Sequence, residues 1–70
     1  MDSPSSVFLS DRDLEILNYV ADGLTDVEIG QKLDLSPKTV NHRIENLKRE
    51  LNVRTRMQVV VTALRQKWIY

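Results

Sequence analysis

The chain has 70 residues, of which 41% are hydrophobic and 29% are charged, with no cysteine and a formal net charge of zero. This length allows a single domain with a modest core, and the missing cysteines exclude a disulfide framework or a thiolate metal site, so that packing and helix caps must stabilise the fold. No apolar run is longer than the three residues Val59-Val60-Val61, far short of the roughly 20 that a membrane span needs. We therefore expect a cytoplasmic protein with no membrane partner.

The N-terminal segment shows neither a helical nor a strand pattern. Residues 1–8 contain Pro4 and three serines without periodicity, and they are predicted to be a disordered lead-in. A single domain is expected over residues 9–70. Its fold class is predicted to be all-α, a four-helix bundle with a central helix-turn-helix, and its helices are expected over about 11–22, 26–33, 37–51 and 56–67.

Start and stop residues set these boundaries. Each helix follows a residue that caps a helix N-terminus well, and the four are Ser10, Thr25, Ser36 and Thr55. An acidic or amide residue stands three positions after three of them, and the pairs that begin with Thr25 and Thr55 fit the capping box. Ser36 precedes Pro37 at the first helical position, where proline is favoured. Gly23 and Asn52 follow the first and third helices because both residue types tolerate the left-handed conformation in which helices often end.

Apolar periodicity separates buried from exposed helix faces. The third helix has apolar residues at spacings of four, three and four, and this stripe is predicted to be core: Val40, Ile44, Leu47 and Leu51. The inward side of the fourth helix is predicted to consist of Met57, Val60, Val61, Leu64 and Trp68. Val59 and Ala63 are thereby left on a different face of that helix.

The second and third helices form the predicted helix-turn-helix. A short helix is joined to a long one by about three residues, and in this arrangement the second of the two helices enters the major groove of DNA and reads bases. Gly30 lies where the two helices would cross, and only a small side chain there lets the backbones approach closely. The alternative is an incidental glycine that costs about 1 kcal/mol of helix propensity.

The charges are distributed unevenly along the chain. Residues 1–36 carry a net charge of −6 and residues 37–70 a net charge of +6. Because a basic region is typical of proteins that bind polyanions, the second half indicates a negatively charged partner. Part of this asymmetry has a simpler origin, since the helix dipole favours acids near helix starts and bases near helix ends.

Five short motifs run in order along the domain: LSDRDLEIL at 9–17, GLTDVEI at 23–29, LSPKTV at 35–40, NL at 46–47 and LNVRTR at 51–56. With these motifs, the chain from residue 9 to about 69 resembles the LuxR-type, or GerE-like, DNA-binding domain of bacterial transcription regulators. The resemblance implies four helices, base recognition by the third helix, and dimerisation through the fourth on an inverted repeat of DNA.

The resemblance also implies roles for residues by their position. The residues implied to contact bases are Asn41, His42 and Glu45. Those implied to lie near DNA phosphates are Thr25, Lys38, Thr39, Arg49, Arg54 and Arg56. Val59 and Ala63 are implied to form the dimer face, and the alternative is that they are isolated apolar residues at the surface. Many members have lysine where this chain has Asn41, so the preferred bases do not follow from the family.

Simpler roles remain open for several polar residues. Glu45 can alternatively be a helix-surface charge that pairs with Arg49 four positions later. Asn46 is predicted to form a hydrogen bond within the fold, and Glu15 is predicted to be a structural ion-pair or hydrogen-bond partner. His42, the one histidine of the chain, is expected to be solvated and not to act as a pH switch.

Other functions fit the sequence less well or remain alternatives. An enzyme is not predicted, because one histidine, no cysteine and no paired carboxylates facing a predicted cleft leave no activated nucleophile. No metal or cofactor is expected either. A helical protein-interaction module is one alternative, and a sigma-factor-like promoter-recognition domain is another. The expected partners are DNA, a second copy that associates weakly on DNA, and, as a further candidate, RNA polymerase.

Overall fold

The computed structural model describes residues 9–70, which form four α-helices in the order α1 (Asp11–Ala21), α2 (Asp26–Leu33), α3 (Pro37–Leu51) and α4 (Arg56–Arg65). The described residues contain no strand, and the predicted all-α fold is confirmed. The bounds of α2 and α3 agree with the prediction, whereas α1 ends one residue and α4 two residues earlier. The predicted lead-in over residues 1–8 lies outside the described residues.

Capping residues begin all four helices as predicted. The hydroxyl groups accept hydrogen bonds from the backbone amide three residues later, and these caps are Ser10, Thr25, Ser36 and Thr55. In α1, α2 and α4 the side chain at that third position accepts in return from the backbone amide of the cap. Each reciprocal pair satisfies two amides near the helix start that would otherwise lack a partner.

The turn between α2 and α3 closes on Gly30. Asp34 ends α2 in the left-handed conformation with φ of 58°, and the backbone amide of Leu35 donates to the carbonyl oxygen of Gly30 at 2.8 Å. A Cβ atom on Gly30 would overlap the backbone carbonyl oxygen of Leu35. The prediction that Gly30 permits a close backbone approach is confirmed, and the approaching element is the turn that leads into α3.

Two clusters of buried side chains form the core. One joins the first three helices and consists of Ile16, Ile29, Val40 and Ile44. The other joins α1, α3, α4 and the C-terminal segment, and it consists of Leu17, Leu47, Leu51, Val59, Val60, Ala63 and Ile69. All four apolar residues predicted for α3 are buried. Because α3 contributes to both clusters, its inner face is fixed along its whole length.

The buried face of α4 differs from the prediction. Val59 and Ala63 are 0% exposed, so they are core residues and their assignment to a dimer face is wrong. Met57 and Leu64, predicted to point inward, are 68% and 45% exposed. Apolar residues surround much of this helix, and periodicity alone therefore cannot orient it. The buried side chains of this helix are Val59, Val60 and Ala63.

Within residues 9–70, no helix combines the length and the apolarity needed to cross a membrane.

Candidate nucleic-acid interface

The outer face of α3 forms a concave polar surface, which we term the α3 patch. It is lined by Lys38, Thr39, Asn41, His42, Glu45 and Arg49. Five of these residues are exposed, and Glu45 is half-buried. The patch therefore brings together the three residues predicted to contact bases and three of the six predicted to contact phosphates.

The shape and position of α3 suit insertion into a groove. The helix has 15 residues and is thus about 22 Å long. The major groove of B-form DNA, about 12 Å wide, admits an α-helix with its side chains. The apolar stripe of α3 is buried in the core, and the α3 patch occupies the opposite side. The helix is consequently held by one face while the other offers hydrogen-bonding side chains to solvent.

Glu45 forms an ion pair at the margin of the patch. The Nζ atom of Lys48 donates to Oε2 of Glu45 at 2.7 Å. This hydrogen bond, together with the positive charges of Lys48, Arg49 and Arg56, outweighs desolvation and lowers the pKa of Glu45. The carboxyl group is therefore ionised at neutral pH. The alternative prediction paired Glu45 with Arg49, whereas the observed partner is Lys48, one position earlier.

Arg49 is held by a neighbour on the same helix. Its guanidinium group donates to the side-chain oxygen of Asn46. The prediction that Asn46 bonds within the fold is confirmed, and the bond steadies a cation that lines the α3 patch. A fixed guanidinium loses less conformational freedom when it binds an anion than a free one does.

The other predicted phosphate contacts lie outside the patch, at the starts of α2 and α4. Thr25 caps α2 and is exposed, and Arg54 is exposed just before α4. Arg56 is half-buried, and its Nη2 atom donates to Oδ1 of Asp26 at 2.7 Å. This ion pair ties the two helix starts together. Arg56 is also among the cations whose charge lowers the pKa of Glu45.

A second long-range ion pair braces α3 against α1. The Nη1 atom of Arg43 donates to Oδ1 of Asp13 at 3.1 Å. Asp13 is also the reciprocal partner of the α1 cap, so one carboxylate fixes a helix start and a neighbouring helix. On the same helix, Arg12 pairs with Glu15 at 3.4 Å, and the structural role predicted for Glu15 is confirmed.

Three residues that organise the site were not predicted from the sequence: Asp13, Asp26 and Lys48. For Lys48 a local signal exists, because a lysine three positions after a glutamate can reach it on a helix surface. For Asp13 and Asp26 none exists, since each partner lies 30 residues away in the chain. Only the packed fold brings these pairs together.

Two helices joined by a tight turn, the second with a buried stripe and an exposed polar face, define a helix-turn-helix DNA-binding domain. Residues 7–63 match the family described as "Bacterial regulatory proteins, luxR family". The chain belongs to this family, and the resemblance noted in the motifs is confirmed. Membership in a family of regulatory proteins also supports the prediction that the domain is not an enzyme.

Three curated relatives illustrate the similarity. The nitrate/nitrite response regulator protein NarP of Escherichia coli K12 is 39% identical over 66 residues, which cover 94% of this chain and 30% of NarP. The transcriptional regulatory protein DegU of Brevibacillus brevis is 34% identical over 87% of this chain and 26% of its own length. The transcriptional regulatory protein LiaR of Bacillus subtilis is 44% identical over 81% of this chain and 27% of its own. The chain thus spans less than a third of each of these relatives.

Proposed function

We propose that this domain binds double-stranded DNA sequence-specifically in bacterial transcription regulation, with α3 in the major groove. The observation that carries the proposal is the α3 patch, an exposed polar helix face on a helix that the core holds from behind. The relatives named as transcriptional regulatory proteins support the same function. This function requires a cytoplasmic location. RNA polymerase is proposed as a further partner, because regulation of transcription would place the domain near it.

The residues of the interface divide by the chemistry of their side chains. Asn41, His42 and Glu45 carry acceptors or donors of fixed geometry, as direct readout of base edges requires. The proposed phosphate contacts carry positive charge or a hydroxyl group, which suits an anion that offers only acceptor oxygens. They are Lys38, Thr39 and Arg49 in the α3 patch, with Thr25, Arg54 and Arg56 at the neighbouring helix starts.

Two copies bind an inverted repeat, in our proposal, through the exposed apolar side of α4. Met57, Val61 and Leu64 follow one another at spacings of four and three, so they form one stripe along this helix. Met57 and Leu64 are more than two-fifths exposed, whereas the buried Val59 and Ala63 have no part in the interface. A stripe of three side chains buries little apolar area, and the dimer is accordingly weak without DNA.

Selection from a random duplex library, followed by titration at several salt concentrations, tests this function. We expect the selection to return an inverted repeat of two half-sites. The logarithm of the binding constant should fall with the logarithm of the salt concentration, with a slope of about −0.9 for each phosphate contacted. Failure to enrich any sequence, or an affinity that does not respond to salt, would contradict the proposal.

A further inference from the structure

The ion pair between Glu45 and Lys48 lies at the edge of the α3 patch, but its two members are placed differently. Glu45 lines the patch and Lys48 does not. The side chain of Lys48 is 22% exposed and that of Glu45 is 43% exposed. The ammonium group therefore supports the carboxylate from the side of the protein body and leaves the space in front of the carboxylate open.

The contact with Lys48 involves one of the two carboxylate oxygens of Glu45. Lys48 donates to Oε2, so Oε1 carries the lone pairs that remain for a donor outside the protein. An ionised carboxylate can only accept hydrogen bonds. In the major groove cytosine offers the N4 amino group, whereas guanine and thymine present acceptors, and adenine places an acceptor beside its donor. An acceptor at this position consequently selects cytosine.

A carboxylate close to DNA needs a compensating cation. The phosphates repel a lone negative charge, which favours either a rotated side chain or a protonated carboxyl group. A protonated carboxyl group both donates and accepts hydrogen bonds, so it would no longer distinguish a base that offers a donor from one that offers an acceptor. The two arginines whose charges act on Glu45 have other partners, because Arg49 donates to Asn46 and Arg56 to Asp26. Lys48 is the cation that bonds the carboxylate directly.

We propose that Lys48 is a positioning residue that sets the base preference of the domain. It holds Oε2 of Glu45 and keeps the carboxylate ionised, so that Oε1 accepts from the N4 amino group of a cytosine in each half-site. Lys48 itself contacts neither base nor phosphate. The inference rests on the proposed DNA-binding function and extends it to one position of the recognised sequence.

The test compares four forms of the full 70-residue chain: the wild type, Glu45→Gln, Lys48→Met, and the variant with both changes. Each is selected against the same random duplex library. The half-site position whose preference changes in Glu45→Gln is the one that Glu45 reads. Four duplexes that differ only at this position are then titrated with every form, and the ratio of their affinities gives the base preference.

We expect the wild type to prefer cytosine at this position by about tenfold, within the range for one side-chain contact to a base. Glu45→Gln should shift the preference toward adenine, since an amide matches its N6 and N7 atoms. Lys48→Met should reduce the preference for cytosine to about threefold or less and leave the mean affinity over the four duplexes nearly unchanged. In the double variant, the Lys48 change should have no further effect on preference.

Two control variants separate positioning from other roles. Lys48→Arg keeps a cation at this place and should retain most of the preference for cytosine. Lys38→Met removes a cation from the α3 patch and should weaken binding to all four duplexes alike. Circular dichroism checks that each variant keeps its helices, and if Lys48→Met does not, Lys48→Gln takes its place because it removes the charge with a smaller change in polarity.

The outcomes distinguish this inference from the function on which it rests. No salt-dependent binding of the wild type to any duplex would overturn both. Salt-dependent, selective binding with an unchanged preference in Lys48→Met would overturn only the role of Lys48. An equal loss of affinity by Lys48→Met on all four duplexes would also overturn this role, because it would indicate that Lys48 contacts phosphate. A preference that Glu45→Gln leaves unaltered would also overturn the inference.

Discussion

Single side chains of the α3 patch differ in what they can offer to DNA. Asn41 has a donor and an acceptor side by side, which can match one base edge and mismatch another. Lys38 has a flexible positive charge, which attracts any phosphate. Both are exposed near the start of α3. Their substitution is therefore expected to change different properties of binding.

Lys38→Ala should weaken binding to every duplex by a similar factor and reduce the magnitude of the salt slope by about 1. Asn41→Ala should instead change the order of preferred sequences, with losses of about 1–3 kcal/mol on the best sites and little on the others. Titration of both variants against one panel of duplexes measures the two effects. Identical loss profiles for the two variants would show that these residues do not have separate roles.

Gly30 is the residue at which a single added methyl group should matter most for stability. In Gly30→Ala the new Cβ would overlap the backbone carbonyl oxygen of Leu35, and backbone cannot move aside as a flexible side chain can. We expect the free energy of unfolding to fall by about 1–3 kcal/mol, as for other overpacked positions. Urea denaturation measures the change. Gln31→Ala, at the exposed next position of α2, is the control and should be near neutral, within about 0.5 kcal/mol.

Whole helices show which parts of the fold are encoded locally. The starts of α1, α2 and α4 could be predicted because a cap and its reciprocal partner lie three residues apart. The start of α3 could be predicted because Ser36 precedes a proline at the first helical position. The inward face of α3 could be predicted because its apolar residues form one stripe. The inward face of α4 could not, since Met57 and Leu64 are as apolar as the buried Val59. Which side packs inward depends on the shape of α1 and α3, and local sequence does not carry this information.

The candidate site divides in the same way. The α3 patch contains all three residues predicted to read bases, because they share one face of a regular helix. The ion pair of Asp26 with Arg56 joins the starts of α2 and α4, and its two members lie 30 residues apart in the chain. The sequence could therefore predict which residues face outward on α3. It could not predict which cations and carboxylates neutralise each other around them.

The cap of α4 offers a test at the scale of one helix. Thr55→Ala removes the hydroxyl group that accepts from the amide of Gln58 at 3.0 Å, and the free energy of unfolding should fall by about 1 kcal/mol. Thermal denaturation followed by circular dichroism measures it. Thr62→Ala is the matched control within α4, because its hydroxyl donates to a carbonyl inside the helix and alanine has the higher helix propensity. Equal destabilisation by both changes would argue against the importance of the cap.

At the scale of the whole molecule, the proposed association surface is separate from the proposed DNA surface. The exposed stripe of Met57, Val61 and Leu64 lies on α4, and the α3 patch lies on another helix. Substitutions on the stripe should therefore affect how two copies share one DNA site and not how one copy binds a half-site.

Leu64→Gln should weaken binding to an inverted repeat by about tenfold, because loss of a half-exposed leucine at a dimer contact removes about 1–2 kcal/mol. Its affinity for a duplex with one half-site should be unchanged. Titration of both duplexes measures the difference, and sedimentation of the wild type without DNA should show mainly monomers. A tight dimer without DNA, or an equal loss on both duplexes, would contradict the proposed interface.

The burial of α3 in both core clusters has a consequence for how the DNA sequence recognised by such a domain can change. The core and the α3 patch share a helix but no side chain, because Val40, Ile44, Leu47 and Leu51 are buried whereas the six patch residues line the outer surface. If Asn41 and His42 read bases as proposed, substitutions at these two positions alter the recognised sequence while the buried scaffold stays the same. A set of regulators with different operators could descend from one such scaffold by surface substitutions alone, without passing through unfolded intermediates.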